Sequence, residues 1–191
     1  MNLHKIGVKV LAQNGDSVDL VELIPVFHRW IQTATVEDLL IDVADYSHVH
    51  QGPGVMIIAH EGDYAFDESR GRRGIVYYSK HALGGELADR LAIVTRKALK
   101  ACQRLSAERE AGGVSFPGNE LEIFANDRLL APNTDETHET LAPVITAFLD
   151  KLYGEGAYEI ERENDPRERY ALRVRASAPI EIDTLLERVA A

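Results

Sequence analysis

The chain has 191 residues, 45% of them hydrophobic and 27% charged, the balance of a globular protein with a real core and room for one domain or two small lobes. Its formal net charge of −10 opposes nucleic acid and anionic membranes, both normally gripped by clustered Lys and Arg, so neither is expected as a partner. A single cysteine, Cys102, excludes an internal disulfide and a thiol pair for zinc, and no apolar run nears the ~18 residues of a spanning helix.

Near the start, Lys5 and Lys9 interrupt any export-signal core, which leaves a cytoplasmic location as the expectation. Ile6, Val8 and Val10 alternate there with Gly7 and Lys9, the period of a half-buried strand. Leu20, Leu23, Ile24, Phe27, Trp30 and Ile31 then recur at steps of three and four, predicting a helix from about Asp19 to Gln32. Pro25 is the objection, because a helix starting only there would free "SVDLVEL" to pair back on the first strand. The fuller apolar stripe favours the longer helix.

Three strands follow, "LLIDVADY", "VMIIAHEGDYAF" and "GIVYYSK", rich in β-branched and aromatic residues and joined by short Gly-containing links, so a three-stranded antiparallel meander is predicted. It leads into a long helix from about Glu86 to Glu108, whose apolar face carries Leu87, Leu91, Val94, Ala98, Cys102 and Leu105. Cys102 reads there as a small buried thiol. Arg90, Lys97, Lys100 and Arg104 form a basic stripe beside that face.

"AGGVSFPGN", Ala111 to Asn119, concentrates turn residues and marks the boundary between an N-terminal lobe, 1–112, and a smaller C-terminal lobe, 113–191, unless the whole is one compact domain. Beyond it come the strand "LEIFA", a helix through "NTDETHETLAPVITAFLDKLYG", the strands "AYEIER" and "RYALRVR", and a short helix "IDTLLERV". "LIPVFHRWI" from Leu23 echoes "LAPVITAFL" from Leu141, and each half reads as strand, helix, strands, helix. The fold class is therefore α+β, antiparallel sheet with packed helices, in two lobes of related or merely similar plan. In "EIERENDPRERYALRVR", a turn over Asn164, Asp165 and Pro166 sets Glu163 against Arg167, Ile160 against Tyr170 and Tyr158 against Leu172, aligning opposite charges and apolar pairs together.

The stretch "DYSHVHQGPGV", Asp45 to Val55, admits three readings: a histidine metal site, a phosphate loop or a hairpin turn. Phosphate loops lead into a helix, whereas "QGPG" leads into a strand, so the turn explains Gly-Pro-Gly better. With Gln51 to Gly54 as the loop, His48 lies opposite Ile57, Ala44 opposite Glu61, and His60 faces Asp45. Alternation then sends His60 to the other side from His48 and His50, and no metal is expected. Tyr46, His48, His50 and Glu61, with Asp42, share a face in this register and are the candidate catalytic group, since histidine titrates near neutral pH and carboxylates tune it. A solvated sheet edge would show the same residues.

In "SRGRRG", Arg70, Arg72 and Arg73 could clamp a phosphate or carboxylate, or simply lie in solvent. His28 and His138 carry no such pattern, and no nucleophile elbow, dinucleotide fingerprint or zinc-knuckle spacing occurs. No family motif can be carried onto these residues. The function expected is a cytosolic binding or assembly module, a homo-oligomer on the frequency of symmetric dimers, with no cofactor. The alternatives are an enzyme built on the Tyr46 to Glu61 face, with or without a metal, and a phosphate-ligand binder using the Arg70 to Arg73 loop.

Overall fold

Alternation at Ile6, Val8 and Val10 makes β1 (Ile6–Leu11), and this strand lies at the heart of the computed structural model, which describes residues 1–190. It is followed by α1 (Leu20–Thr33), β2 (Leu40–Tyr46), β3 (Gly54–Ala59), β4 (Gly62–Asp67), β5 (Gly74–Ser79) and α2 (Leu87–Ser106). The second half adds β6 (Glu120–Ala125), α3 (Asp135–Tyr153), β7 (Tyr158–Arg162), β8 (Ala171–Ala176) and α4 (Ile182–Ala190). All eight strands join one antiparallel sheet in the order β2-β3-β4-β5-β1-β6-β8-β7. The fold is α+β, and the four helices cover one face of the sheet.

Each half runs strand, helix, antiparallel strands, helix, and each half's first strand pairs with its last, β1 with β5 and β6 with β8. The two first strands then pair with each other, so the halves meet through the β1–β6 ladder. Leu23 to Ile31 is helical with Pro25 inside it, as Pro143 is inside α3. The Asp19 carboxylate accepts from Val21 N–H and starts α1, and Glu86 with Asp89 forms a capping box on α2. Among the described residues, no helix is long and apolar enough to cross a membrane.

Three local expectations are corrected. "VMIIAHEGDYAF" is two strands, turned at His60 and Glu61, so the meander has four strands rather than three. The β7–β8 hairpin pairs Ile160 with Val174 and Tyr158 with Ala176, four residues along from the predicted register. That register also sets opposite charges together, Glu159 against Arg175 and Glu161 against Arg173, so charge pattern alone could not choose. The basic stripe of α2 is partly interior: Lys97 is buried against Asp38 and the Tyr77 hydroxyl, and Arg90 against Asn2 and the Leu3 carbonyl.

Candidate functional site

Inward-facing Ile6, Val8 and Val10 leave Gly7, Lys9 and Leu11 on the opposite face of the sheet, which no helix of the described residues covers. One cross-strand row on that face runs Ala44, Met56, Ala65, Val76, Lys9, Glu122, Arg173, Glu161, a residue from every strand. The row is apolar over its first four strands and alternates positive and negative over the last four. The adjacent row, Asp63, Tyr78, Gly7, Phe124, Ala171, adds aromatic floor. Met56, Ala65, Val76, Phe124 and Ala171 form a second apolar cluster separate from the main core.

The segment Gln51 to Pro53, the 3-10 turn Ser69–Gly71, and the loop from Glu163 to Arg169 stand around this floor and shape an open cleft of about 1080 Å³. Lys9 is buried beside it, lining a smaller adjoining pocket of about 250 Å³ with Arg70, Glu122 and Arg173, and its Nζ donates to Asp67 Oδ1 at 2.5 Å and to the Ser69 carbonyl at 3.1 Å. Burial pushes the Lys9 ammonium below its ordinary range, and Asp67 opposes that shift. A lysine so perturbed, in a pocket adjoining the cleft and with a specific charge partner, marks a candidate functional site. Nearby, the Arg169 guanidinium lies 3.4 Å over the Phe124 ring, which rests on Gly7.

The predicted site residues divide. Tyr46 closes β2, and its ring stacks on His48 at 6.4 Å, with His48 and His50 exposed in a seven-residue loop, Ser47 to Pro53. That loop replaces the predicted four-residue turn: Tyr46 pairs with Gly54 and Asp45 with Val55, so His60 does not face Asp45. Glu61 sits at the other end of β3, where its carboxylate accepts from Leu39 N–H and lies 3.7 Å from His60 Nδ1. The length of a six-residue strand, roughly 20 Å, separates it from Tyr46, His48 and His50. His60 lies instead beside His81, the rings tilted 36° to each other with centroids 5.1 Å apart.

The three loop arginines also part company. Arg72 pairs with Glu120 at 2.5 Å, and Arg73 binds Glu68 and the carbonyls of Gly15 and Val18, anchoring the approach to α1. Arg70 alone turns into the cleft, toward Glu122 and Glu163, with φ at +62°. A bulky residue in the left-handed region is a local strain of the kind that collects at functional positions.

Lys9, Asp67, Glu122 and Arg169 escaped the sequence reading. The available signal was a charged residue inside an alternating strand, Lys9 between Val8 and Val10, and Glu122 between Leu121 and Ile123. No protein-family model matches this sequence, and no curated protein is significantly similar to it. The geometry therefore carries the functional reading alone.

Proposed function

We propose that the protein is a binding module that holds a small molecule on the bare face of its sheet, over Ala65, Val76, Tyr78 and Phe124 and beside the charged wall of Arg70, Arg169 and Arg173. The observation supporting this is the division of one open face into an apolar floor and an ion-paired half with a buried lysine. An apolar concavity with a few convergent polar groups is the usual form of a small-molecule site. The floor itself is nearly closed, with Ala65, Val76 and Phe124 at most 4% exposed, so a bound molecule would reach it over half-buried Tyr78 and over Arg169, which lies on Phe124.

A chemically diverse set of small molecules, titrated into the isotope-labelled chain, checks the proposal through backbone amide shifts. Binders should converge on Ala65, Val76, Tyr78, Phe124 and Arg169, and Tyr78→Ala should weaken them several-fold. Shifts that scatter over the helix layer, or binding untouched by Tyr78→Ala, would count against the bare face.

A further inference from the structure

Three guanidinium groups converge on the cleft with most of their donors idle. Arg70, Arg169 and Arg173 each carry five N–H groups in a planar fork. Among the described residues, the one aligned hydrogen bond they make is from Arg169 Nη2 to Glu122 Oε1, a long 3.4 Å. Arg173 Nε stands 3.9 Å from Glu122 Oε2. Arg70 Nη1 is 2.9 Å from Glu163 Oε2, and Nη2 is 3.7 Å from Glu168, yet neither nitrogen has an aligned acceptor although both are shut away from solvent. Arg73, by contrast, is satisfied at 2.7 and 2.8 Å by a carbonyl and a carboxylate. Donors closed off from water and left unmatched are costly, so an acceptor with several lone pairs gains more here than at an exposed arginine.

We propose that the cleft takes a planar aromatic molecule bearing an oxyanion, a carboxylate or a phosphate, with the oxyanion on Arg70, Arg169 and Arg173. This rests on the bare face being the binding site. Charge count does not decide the sign, because Arg70, Arg128, Arg167, Arg169 and Arg173 line the cleft against Asp67, Glu163, Asp165 and Glu168, five cations to four anions. Exposure does. The side chains of Arg173 and Arg169 are 46% and 27% accessible, whereas Glu122 beneath them is 8% accessible. Asp67 is engaged by Lys9 and Ser69 and Glu163 by Arg70 at 2.9 Å, so a group that has passed Glu168 at the rim, itself 56% accessible, meets Arg173 and Arg169 before Glu122. The ring is read from Arg169, whose inner face is on Phe124 while its outer face opens to the cleft. Guanidinium planes stack on aromatic rings, and a ring so placed lies beside Val76 and Tyr78 with its substituent toward Arg173 and Arg70.

The test uses the labelled full chain with benzoate, phenyl phosphate, inorganic phosphate, phenol and benzamidine as probes, at low and high salt. Benzoate or phenyl phosphate should shift the amides of Phe124, Arg169 and Arg173 saturably, and more weakly at high salt. The stronger of the two tells carboxylate from phosphate. Arg173→Gln, at a half-exposed position that folding tolerates, should cost about tenfold or more in affinity, and Arg70→Gln a similar factor. Equal binding of benzamidine, or wild-type affinity in Arg173→Gln, overturns the oxyanion. Inorganic phosphate matching phenyl phosphate overturns the ring. If phenol shifts the floor as strongly as benzoate, the oxyanion falls while the bare-face site stands; if every probe leaves those amides unmoved, both fall.

Discussion

Gly7 shows how a single missing side chain organises the bare face. A Cβ added there would lie 2.0 Å from Phe124 Cζ, a distance no real contact allows, and the clash is purely steric because the backbone is not in the left-handed region. The ring needs that seat to lie flat on β1 and to offer its other face to Arg169. Gly7→Ala should therefore lift the ring, with a loss of about 1–3 kcal/mol typical of overpacking in a well-packed site. Urea unfolding measures it, and Phe124→Leu in the same chain should recover much of the loss. A Gly7→Ala protein as stable as the wild type would mean that the ring has another resting place.

At the scale of elements, the β7–β8 hairpin is held where it is by a residue outside it. Asn133 Nδ2 donates to the carbonyls of Glu163 and Asp165 at 2.8 and 2.9 Å, fixing the long connection that leads to Arg169. Asn133→Ala should quicken amide exchange from 163 to 170 and cost about 1 kcal/mol, because it strands part-buried carbonyls. The Ile160 to Val174 pairing should survive, and its loss would show that Asn133 sets the register too. This explains why the hairpin's existence was legible and its register was not. A shift by an even number of residues keeps the same side chains on the same face, so Ile160 meets an apolar partner and Glu161 a basic one in either register. Helices were easier, since the stripes at Leu23 to Ile31 and Leu87 to Leu105 repeat over several turns. His60 and Glu61 hid a turn inside what reads as one strand, with Gly62 as the only break. The site was harder still: Lys9, Asp67, Glu122 and Arg169 come together through the β1–β6 ladder and a lysine reaching across β5 to β4, and no local period encodes a pairing across about a hundred residues of chain.

The whole molecule responds to pH through the layer between sheet and helices. Burial raises the phenols of Tyr64 and Tyr77 far above the ordinary range, with the Asp38 carboxylate as a further cause, and burial does the same to Tyr153, whose hydroxyl donates to the Gly118 carbonyl at 2.9 Å. Tyr170 is pushed up to about 12 by burial. An unfolded tyrosine loses its proton near pH ~10, so above that pH the folded chain holds more protons than the unfolded one and stability must fall as pH rises. Lys9 acts in the other direction, because burial lowers it: the unfolded lysine keeps a proton that the folded one releases, which raises stability with pH up to about 10.4. One lysine is outweighed by several phenols. Each fully buried phenol contributes about 1.4 kcal/mol per pH unit once its unfolded form is ionised, so Tyr64, Tyr77 and Tyr153 together give a slope of about 4 kcal/mol per unit. Against a typical domain stability of about 5–15 kcal/mol, that slope predicts cooperative alkaline unfolding within a few units above pH ~10. Circular dichroism and tyrosinate absorbance, followed on one sample, should change together in that step, and Tyr64→Phe should make the fall shallower. Phenols ionising gradually from about pH 10 while the helical signal persists would show that water already reaches this layer.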